Sequence, residues 1–400
     1  MTDRLSPNLA NLKASETVAI SAEARRRKAA GEDVLDLGVG EPDFDTPSAA
    51  AQAGILAIQQ GYTRYPPNTG IVELRRAIAG HLSFLSGGRP IDADRVMVSS
   101  GSKQSLFNAC FSLFGPGDKV LIPSPAWVSY PQIVHLSRAE PVMVPGALER
   151  GLKVTVKDLD AHDQAVRGLI ICSPCNPTGA VYDRSEIRAI AEWARDRQIW
   201  IIADEIYRRI NYGDGPAASF LDLPDELLER VVIVAGASKA YAMTGWRIGA
   251  AYAPEHLVKA MAALQSHTTT GANHPAMLAA ATAFSDPRVE ADVVRMVAAF
   301  RTRRDLLVER FRASAPGVQY VEPHGAFYFF FRVDGISPGL GGADFCTRLM
   351  QEEGVALVPG AAFGDDRWVR LSYAVSEAEL GLALDRIFRF IARLAPSRAA

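Results

Sequence analysis

The chain has 400 residues, enough for more than one hydrophobic core, and its 43 lysines and arginines nearly cancel its 45 aspartates and glutamates, leaving a formal charge of −2. So even a balance leaves no electrostatic footprint for nucleic acid or for an anionic membrane. The opening Met-Thr-Asp-Arg-Leu-Ser-Pro lacks the apolar core of a signal peptide, and no apolar run approaches the ~20 residues of a membrane helix, which predicts a soluble cytoplasmic protein without nucleic-acid or membrane partners.

Taken in chain order, the first 45 residues precede the main run of alternating elements and are expected to join a smaller unit formed later. From residue 90 onward, short apolar runs at 95–99, 119–122, 168–172, 199–204 and 231–235 read as strands from their often β-branched content. Amphipathic stretches lie between several of them; 183–197 places Ile187, Ile190, Ala191 and Ala194 at helical spacing. Strands buried on both faces and alternating with helices predict a mostly parallel sheet covered on both sides, with ligands at the carboxyl ends of its strands. A long amphipathic stretch follows at 286–313, whose Arg301-Thr-Arg-Arg304 reads as a solvated helix face. Strands at 326–333, 355–358 and 368–372, a helix at 343–353 and a closing helix from Ser376 then predict an α+β unit. The expected organisation is an N-terminal arm and part of the small domain at 1–45, a large domain at 46–285, and the remainder of the small domain at 286–400.

Four cysteines, at 110, 172, 175 and 346, suit a reducing compartment. Cys172 and Cys175 form a Cys-x-x-Cys, which admits a redox reading. No helix pattern follows them and no second pair offers zinc a site, so a pair of buried thiols is the favoured alternative. The seven histidines are scattered without metal-ligand spacing on a helix, so no metal is expected.

Lys239 is the most informative residue. It follows the apolar run 231–234 within Ala-Gly-Ala-Ser-Lys-Ala-Tyr-Ala-Met-Thr-Gly-Trp-Arg-Ile-Gly at 235–249. A strand that ends in small residues and one lysine can push an amine into a cleft. There partial desolvation and nearby cations lower its pKa and make it a carbonyl nucleophile. A lone strand-end lysine is more often a solvated surface charge, so its meaning rests on the residues that accompany it.

Those residues form an ordered set: Gly-Glu-Pro-Asp-Phe-Asp-Thr-Pro at 40–47, Tyr65, Gly-Ser-Lys-Gln at 101–104, Pro-Ala-Trp-Val-Ser-Tyr-Pro at 125–131, Ser-Pro-Cys-Asn-Pro-Thr-Gly at 173–179, Asp-Glu-Ile-Tyr at 204–207, the Lys239 segment, and Val-Arg-Leu-Ser-Tyr at 369–373. In this order, and over nearly the whole chain, they resemble the class I, fold type I aminotransferases that depend on pyridoxal 5′-phosphate, and most closely the bacterial aspartate aminotransferases. The resemblance implies an α/β fold, with a seven-stranded, mostly parallel sheet in a large cofactor-binding domain and a smaller α+β domain.

It also implies roles. Lys239 would form the internal aldimine and, once displaced, carry the proton at the substrate's Cα. Asp204 would pair with the protonated pyridine nitrogen, and Tyr207 and Asn176 would bond the phenolate oxygen. Gly101, Ser102 and Lys103 open a helix whose N–H groups suit a phosphate, and Arg247 would add its fork. Trp127 would stack on the ring, and Tyr65 would reach the phosphate of a second subunit, implying a homodimer with shared active sites. Arg370 would take the substrate's α-carboxylate beside Gly40, with Trp127 and Asn176 also near the substrate. Lys103 would contact the side-chain carboxylate of aspartate or glutamate, with 2-oxoglutarate or oxaloacetate as the oxo acid; with Thr17 it also fits members that accept prephenate. The alternatives are aromatic or other donors, or a C–S lyase on the same scaffold. Two departures stand out. Gly236 occupies a position where the family often has serine, which predicts one phosphate hydroxyl fewer, and 268–275 matches no assigned version of the cleft wall.

Overall fold

Apolar side chains on both faces of the same strands set the architecture. The computed structural model describes residues 16–162 and 166–394, together with Ser6, Leu9 and Leu12. Seven strands lie side by side in the order Val96–Ser99, Gly249–Tyr252, Val231–Gly236, Trp200–Asp204, Val166–Cys172, Lys119–Ser124 and Glu140–Pro145. Gly249–Tyr252 runs antiparallel to both its neighbours and the other six are parallel. Successive residues of each central strand enter two different cores. Leu169, Ile171, Ile201, Ala203, Val231 and Ile233 pack on one side. Ile170, Ile202, Val232 and Val234 pack on the other. This is why the strands read as continuous apolar runs rather than as alternating ones.

Two strands depart from the sequence expectation. Glu140–Pro145 sits at a sheet edge, where its prolines cost no ladder bonds. Gly249–Tyr252 is Gly-Ala-Ala-Tyr and carries no β-branched residue, yet it fills the gap between two parallel strands. The helices have local causes. Asp183 caps Arg184–Asp196 through a reciprocal capping box with Glu186. Asp286 caps Pro287–Ser314, whose proline at the first position needs no hydrogen-bond partner.

That 28-residue helix leads to a second, four-stranded sheet in the order Val358–Pro359, Trp368–Ser372, Tyr328–Arg332 and Tyr320–Val321, all antiparallel. The single strand expected at 355–358 is in fact two. Val355–Ala356 pairs in parallel with Leu35–Asp36, and after Leu357 the chain joins the second sheet at Val358–Pro359. An aromatic core of Phe300, Phe311, Phe327, Phe329, Phe331 and Phe345 fills the space between this sheet and its helices. Tyr207, Ile210 and Tyr212, from the chain just after the strand ending at Asp204, pack into the same core and tie the two sheets together.

A very close backbone approach joins the antiparallel strand to the start of the helix Ser102–Leu113. A Cβ on Gly249 would run into the backbone of Gly101 and Ser102, which cannot retreat as a side chain can. Gly249→Ala is therefore expected to destabilise by about 1–3 kcal/mol through overpacking. Gly80→Ala, at an exposed helix position with nothing within 4 Å of the added carbon, should stabilise slightly. Urea midpoints of the two variants test this, and equal shifts would refute it.

Candidate active site

The carboxyl ends of the parallel strands deliver the site. Asp204 closes its strand, opposite Cys172 on one side and Val234 on the other. The turn carrying Asn176 and the turn carrying Lys239 therefore emerge on either side of that carboxylate. Together with residues of the second sheet they line a cleft of about 370 Å³, whose wall includes Lys103, Trp127, Asp204, Lys239, Arg247 and Arg370.

The charge in this cleft is unbalanced. Among the described residues, none of Lys103, Lys239, Arg247 and Arg370 makes an ion pair. The Lys239 amine donates to the Gly40 carbonyl. Burial first, and then Arg370 and Arg247 against the opposing pull of Glu41, lower its pKa to about 8. Asp204 is 4% exposed. Burial raises its pKa to about 6, held from rising further by the Tyr130 phenol, the Ile206 amide and Lys239. The phenol donates to Oδ2 at 2.7 Å and the amide to Oδ1 at 3.3 Å.

One end of the cleft suits a phosphate. The Gly101 backbone has φ +86°, and a Cβ there would collide with the Arg247 guanidinium. Ser102 begins the helix, its hydroxyl donating to the Ala235 carbonyl at 2.8 Å, and Ser238 lines the wall beside it. The Ser102 hydroxyl also explains Gly236, because any side chain at 236 would strike it.

The other end is built by the second sheet. Arg370 is 2% exposed, yet among the described residues its acceptors are neutral oxygens, Asn176 Oδ1 at 3.0 Å and the Gly38 carbonyl at 2.6 Å. Its Nε has no partner, and its guanidinium lies 4.5 Å from the centre of the Tyr328 ring. Tyr328 shares a 2.7 Å hydrogen bond with Tyr207, and its hydroxyl fills the space that a Cβ on Gly40 would need. Back at the Ser102 end, Lys103 stands 4.9 Å from the Trp127 ring centre, and burial together with Arg247 lowers its pKa.

The structure thus brings together Gly40, Gly101, Ser102, Lys103, Trp127, Asn176, Asp204, Tyr207, Lys239, Arg247 and Arg370. Tyr65 lies outside this chain's cleft and is 90% exposed. The Thr17 side chain lies outside the described residues, although its helix, Glu16–Ala29, gives Ser21 and Arg25 to the cleft wall. Segment 268–275 lines none of the cleft. It packs behind the start of the Ser102 helix, where the Thr269 hydroxyl accepts from Gln104 at 2.6 Å, and Asn273 caps the next helix. Cys172 and Cys175 are free thiols, Cys172 buried and on the cleft wall. Among the described residues no cluster of three or more potential metal ligands exists, and no helix is long and apolar enough to cross a membrane. Sequence reasoning missed Tyr130, Tyr328, Ser238 and Glu41. Tyr130, Ser238 and Glu41 carried a local signal, standing within the motifs at 125–131, 235–249 and 40–47, whereas Tyr328 lay in none of them.

Comparison with known proteins agrees with this geometry. Residues 32–387 match the family model described as aminotransferase class I and II. A bifunctional aspartate aminotransferase and glutamate/aspartate-prephenate aminotransferase of Petunia hybrida is 42% identical over 98% of this chain and 84% of its own length. An aspartate aminotransferase of Geobacillus stearothermophilus is 38% identical over 97% of this chain and 99% of its own. The solved structure of an aspartate aminotransferase from Thermus thermophilus with maleate superposes with a TM-score of 0.92 at 37% identity, covering 97% of this chain and all of that one.

Beside the site, Glu205 is buried against the Ser219 hydroxyl, at 2.6 and 2.8 Å from its two oxygens, and the Phe220 amide. Burial raises its pKa to about 7. The folded state then holds a proton that the unfolded chain releases, so this contribution to stability is complete below the ordinary carboxylate range. It is lost as pH rises through about 7. Glu205→Gln should remove that dependence, gaining on the order of 2 kcal/mol on the parent protein between about pH 5 and about pH 8. Urea unfolding at the two pH values checks this, and a pH-independent difference would count against it.

Proposed function

Because this chain belongs to the class I and II aminotransferases and is an enzyme of that kind, we propose that it moves an amino group between a dicarboxylic amino acid, aspartate or glutamate, and a 2-oxo acid, with pyridoxal 5′-phosphate as its cofactor. The observation that carries this reading is Arg370: a buried guanidinium that, among the described residues, has no carboxylate partner and an unbonded Nε, in one cleft with the Lys239 amine. A buried charge is costly unless a counter-charge arrives, and a substrate carboxylate supplies one.

The residues fit the cofactor. The amides at the start of the Ser102 helix, with Arg247 and the bare Gly101, would hold its phosphate. Asp204 would pair with the ring nitrogen, Asn176 and Tyr207 would bond the phenolate oxygen, and Trp127 would cover a face of the ring. When bound, the cofactor supplies a carbonyl that condenses with amines and a ring that accepts the electron pair released at the substrate's Cα. Lys239 does the proton work. With a pKa near 8 a useful fraction of its amine is unprotonated at neutral pH, so Nζ can take the proton from Cα and return it. Arg370 would orient the α-carboxylate, and Lys103 at the far side would favour a second carboxylate over an apolar side chain. Prephenate fits as a further substrate, since the Petunia hybrida relative is named for it.

We read 46–285 as the cofactor-binding domain, with 1–45 and 286–400 forming the smaller one. A homodimer is part of the same reading. Tyr65 projects into solvent beyond the helix Ser48–Gln59, which exposes Ile55 at 48% and Ile58 at 61%. A second copy would cover that apolar strip and receive Tyr65 in its own cleft. The free cysteines are in keeping with a reducing cytoplasm.

Two outcomes are expected. Lys239→Ala, mixed with pyridoxal phosphate, should lack the near-visible absorbance that the parent protein gains from its lysine-bound cofactor; an unchanged spectrum would rule the lysine out. Lys103→Ala should lower kcat/KM for aspartate and glutamate by roughly 10- to 100-fold, the worth of one charge-assisted contact, and alanine turnover far less. Steady-state assays across the three donors decide this, and equal losses would assign Lys103 to the phosphate alone.

A further inference from the structure

The Asp204 carboxylate must stay ionised where the fold makes ionisation expensive. It lies among buried residues, with the Cys172 thiol opposite it in the sheet, the Cys175 thiol nearby and, among the described residues, Lys239 as the cation acting on it. Two donors reach it. The Ile206 amide, at 3.3 Å, comes from the same turn and is long. The Tyr130 phenol, at 2.7 Å, comes from the helix Ser129–Leu136, which belongs to a different part of the chain.

Tyr130 is suited to this task. It is 2% exposed, and burial raises its pKa well above the usual phenol range, so it keeps its proton and remains a donor. The Cys172 sulfur touches the same phenol, but a carboxylate is much the stronger acceptor for the single proton. Trp127, one turn earlier on the same segment, packs edge-on against Tyr130 with ring centres 5.4 Å apart. One short segment therefore fixes both a wall of the cleft and the carboxylate within it.

The geometry points to Tyr130 as a positioning residue for the proposed reaction: its phenol holds Asp204 ionised and occupies Oδ2, leaving Oδ1, which carries only the long Ile206 amide bond, open to the cofactor's ring nitrogen. This inference rests on the reading of Asp204 given above. With one phenol and one amide bonded, the carboxylate keeps acceptor capacity for one more donor. Without the phenol, burial has less opposing it, Asp204 takes up a proton at higher pH, and a neutral acid no longer keeps a ring nitrogen protonated.

The test uses the full chain, cofactor-free and loaded with pyridoxal phosphate. In the cofactor-free protein, infrared spectra with carboxyl-labelled aspartate follow Asp204, identified by the band lost in Asp204→Asn. Tyr130→Phe should move its titration midpoint upward by about one to two pH units, the worth of a hydrogen bond to a charged group. In the loaded enzyme the acid limb of the kcat profile should move up by the same amount, with KM for aspartate changed less than about twofold. Fluorotyrosine at 130, a more acidic donor, should move the midpoint downward, a direction that misfolding cannot imitate. An unmoved midpoint in Tyr130→Phe, or an activity loss equal at every pH, overturns the inference. If Asp204→Asn instead binds cofactor and turns over like the parent enzyme, the reading of Asp204 falls, whatever Tyr130 does.

Discussion

The site depends on buried cations that, among the described residues, make no ion pair. Among the described residues, Arg370 is buried with two neutral oxygens as acceptors and the rings of Tyr328 and Phe363 beside it, and Lys239 rests on a backbone carbonyl. A buried charge left this way costs several kcal/mol, which a structure can carry only if the rest of the fold over-determines it. The two sheets supply that surplus. Paired apolar faces and a dense aromatic core hold the strand ends in register, so the uncompensated charges cannot relax by moving apart.

The second consequence is that the site belongs to neither sheet. Tyr207 leaves the parallel sheet and packs into the aromatic core of the antiparallel one, where its hydroxyl meets Tyr328. Asn176 leaves the parallel sheet and meets Arg370 of the antiparallel one. These polar joints cross the seam between the cores and are satisfied by one another. Removing one partner therefore strands the other in a dry place, at a cost larger than the bond itself.

Much of this was legible in the sequence, but unevenly. The strand-end residues could be read because apolar runs mark the strands and the motifs follow at their carboxyl ends; Asp204, Lys239 and Asn176 are of this kind. The Gly249–Tyr252 strand could not, because it carries no β-branched residue and lies in a gap between two parallel strands. The split at Leu357 was hidden for a similar reason: a run of Val, Ala, Leu and Val has no feature that says where it changes sheets. Tyr130 and Tyr328 meet partners 74 and 121 residues away, and only the folded chain reveals such pairs. Gly236 shows the reverse case. It looked like a missing hydroxyl, whereas the Ser102 hydroxyl already occupies that space.

The carbonyls of Gly38 and Gly40 hold Arg370 and Lys239 respectively, so one tripeptide near the N-terminus restrains both the guanidinium and the amine of the cleft. That tripeptide acts as a built-in competitor. Any occupant that engages the amine and the guanidinium together displaces two hydrogen bonds from the same three residues. By linkage, the firmness with which the chain holds that stretch and the affinity of the cleft for its occupant are one free energy seen from two sides.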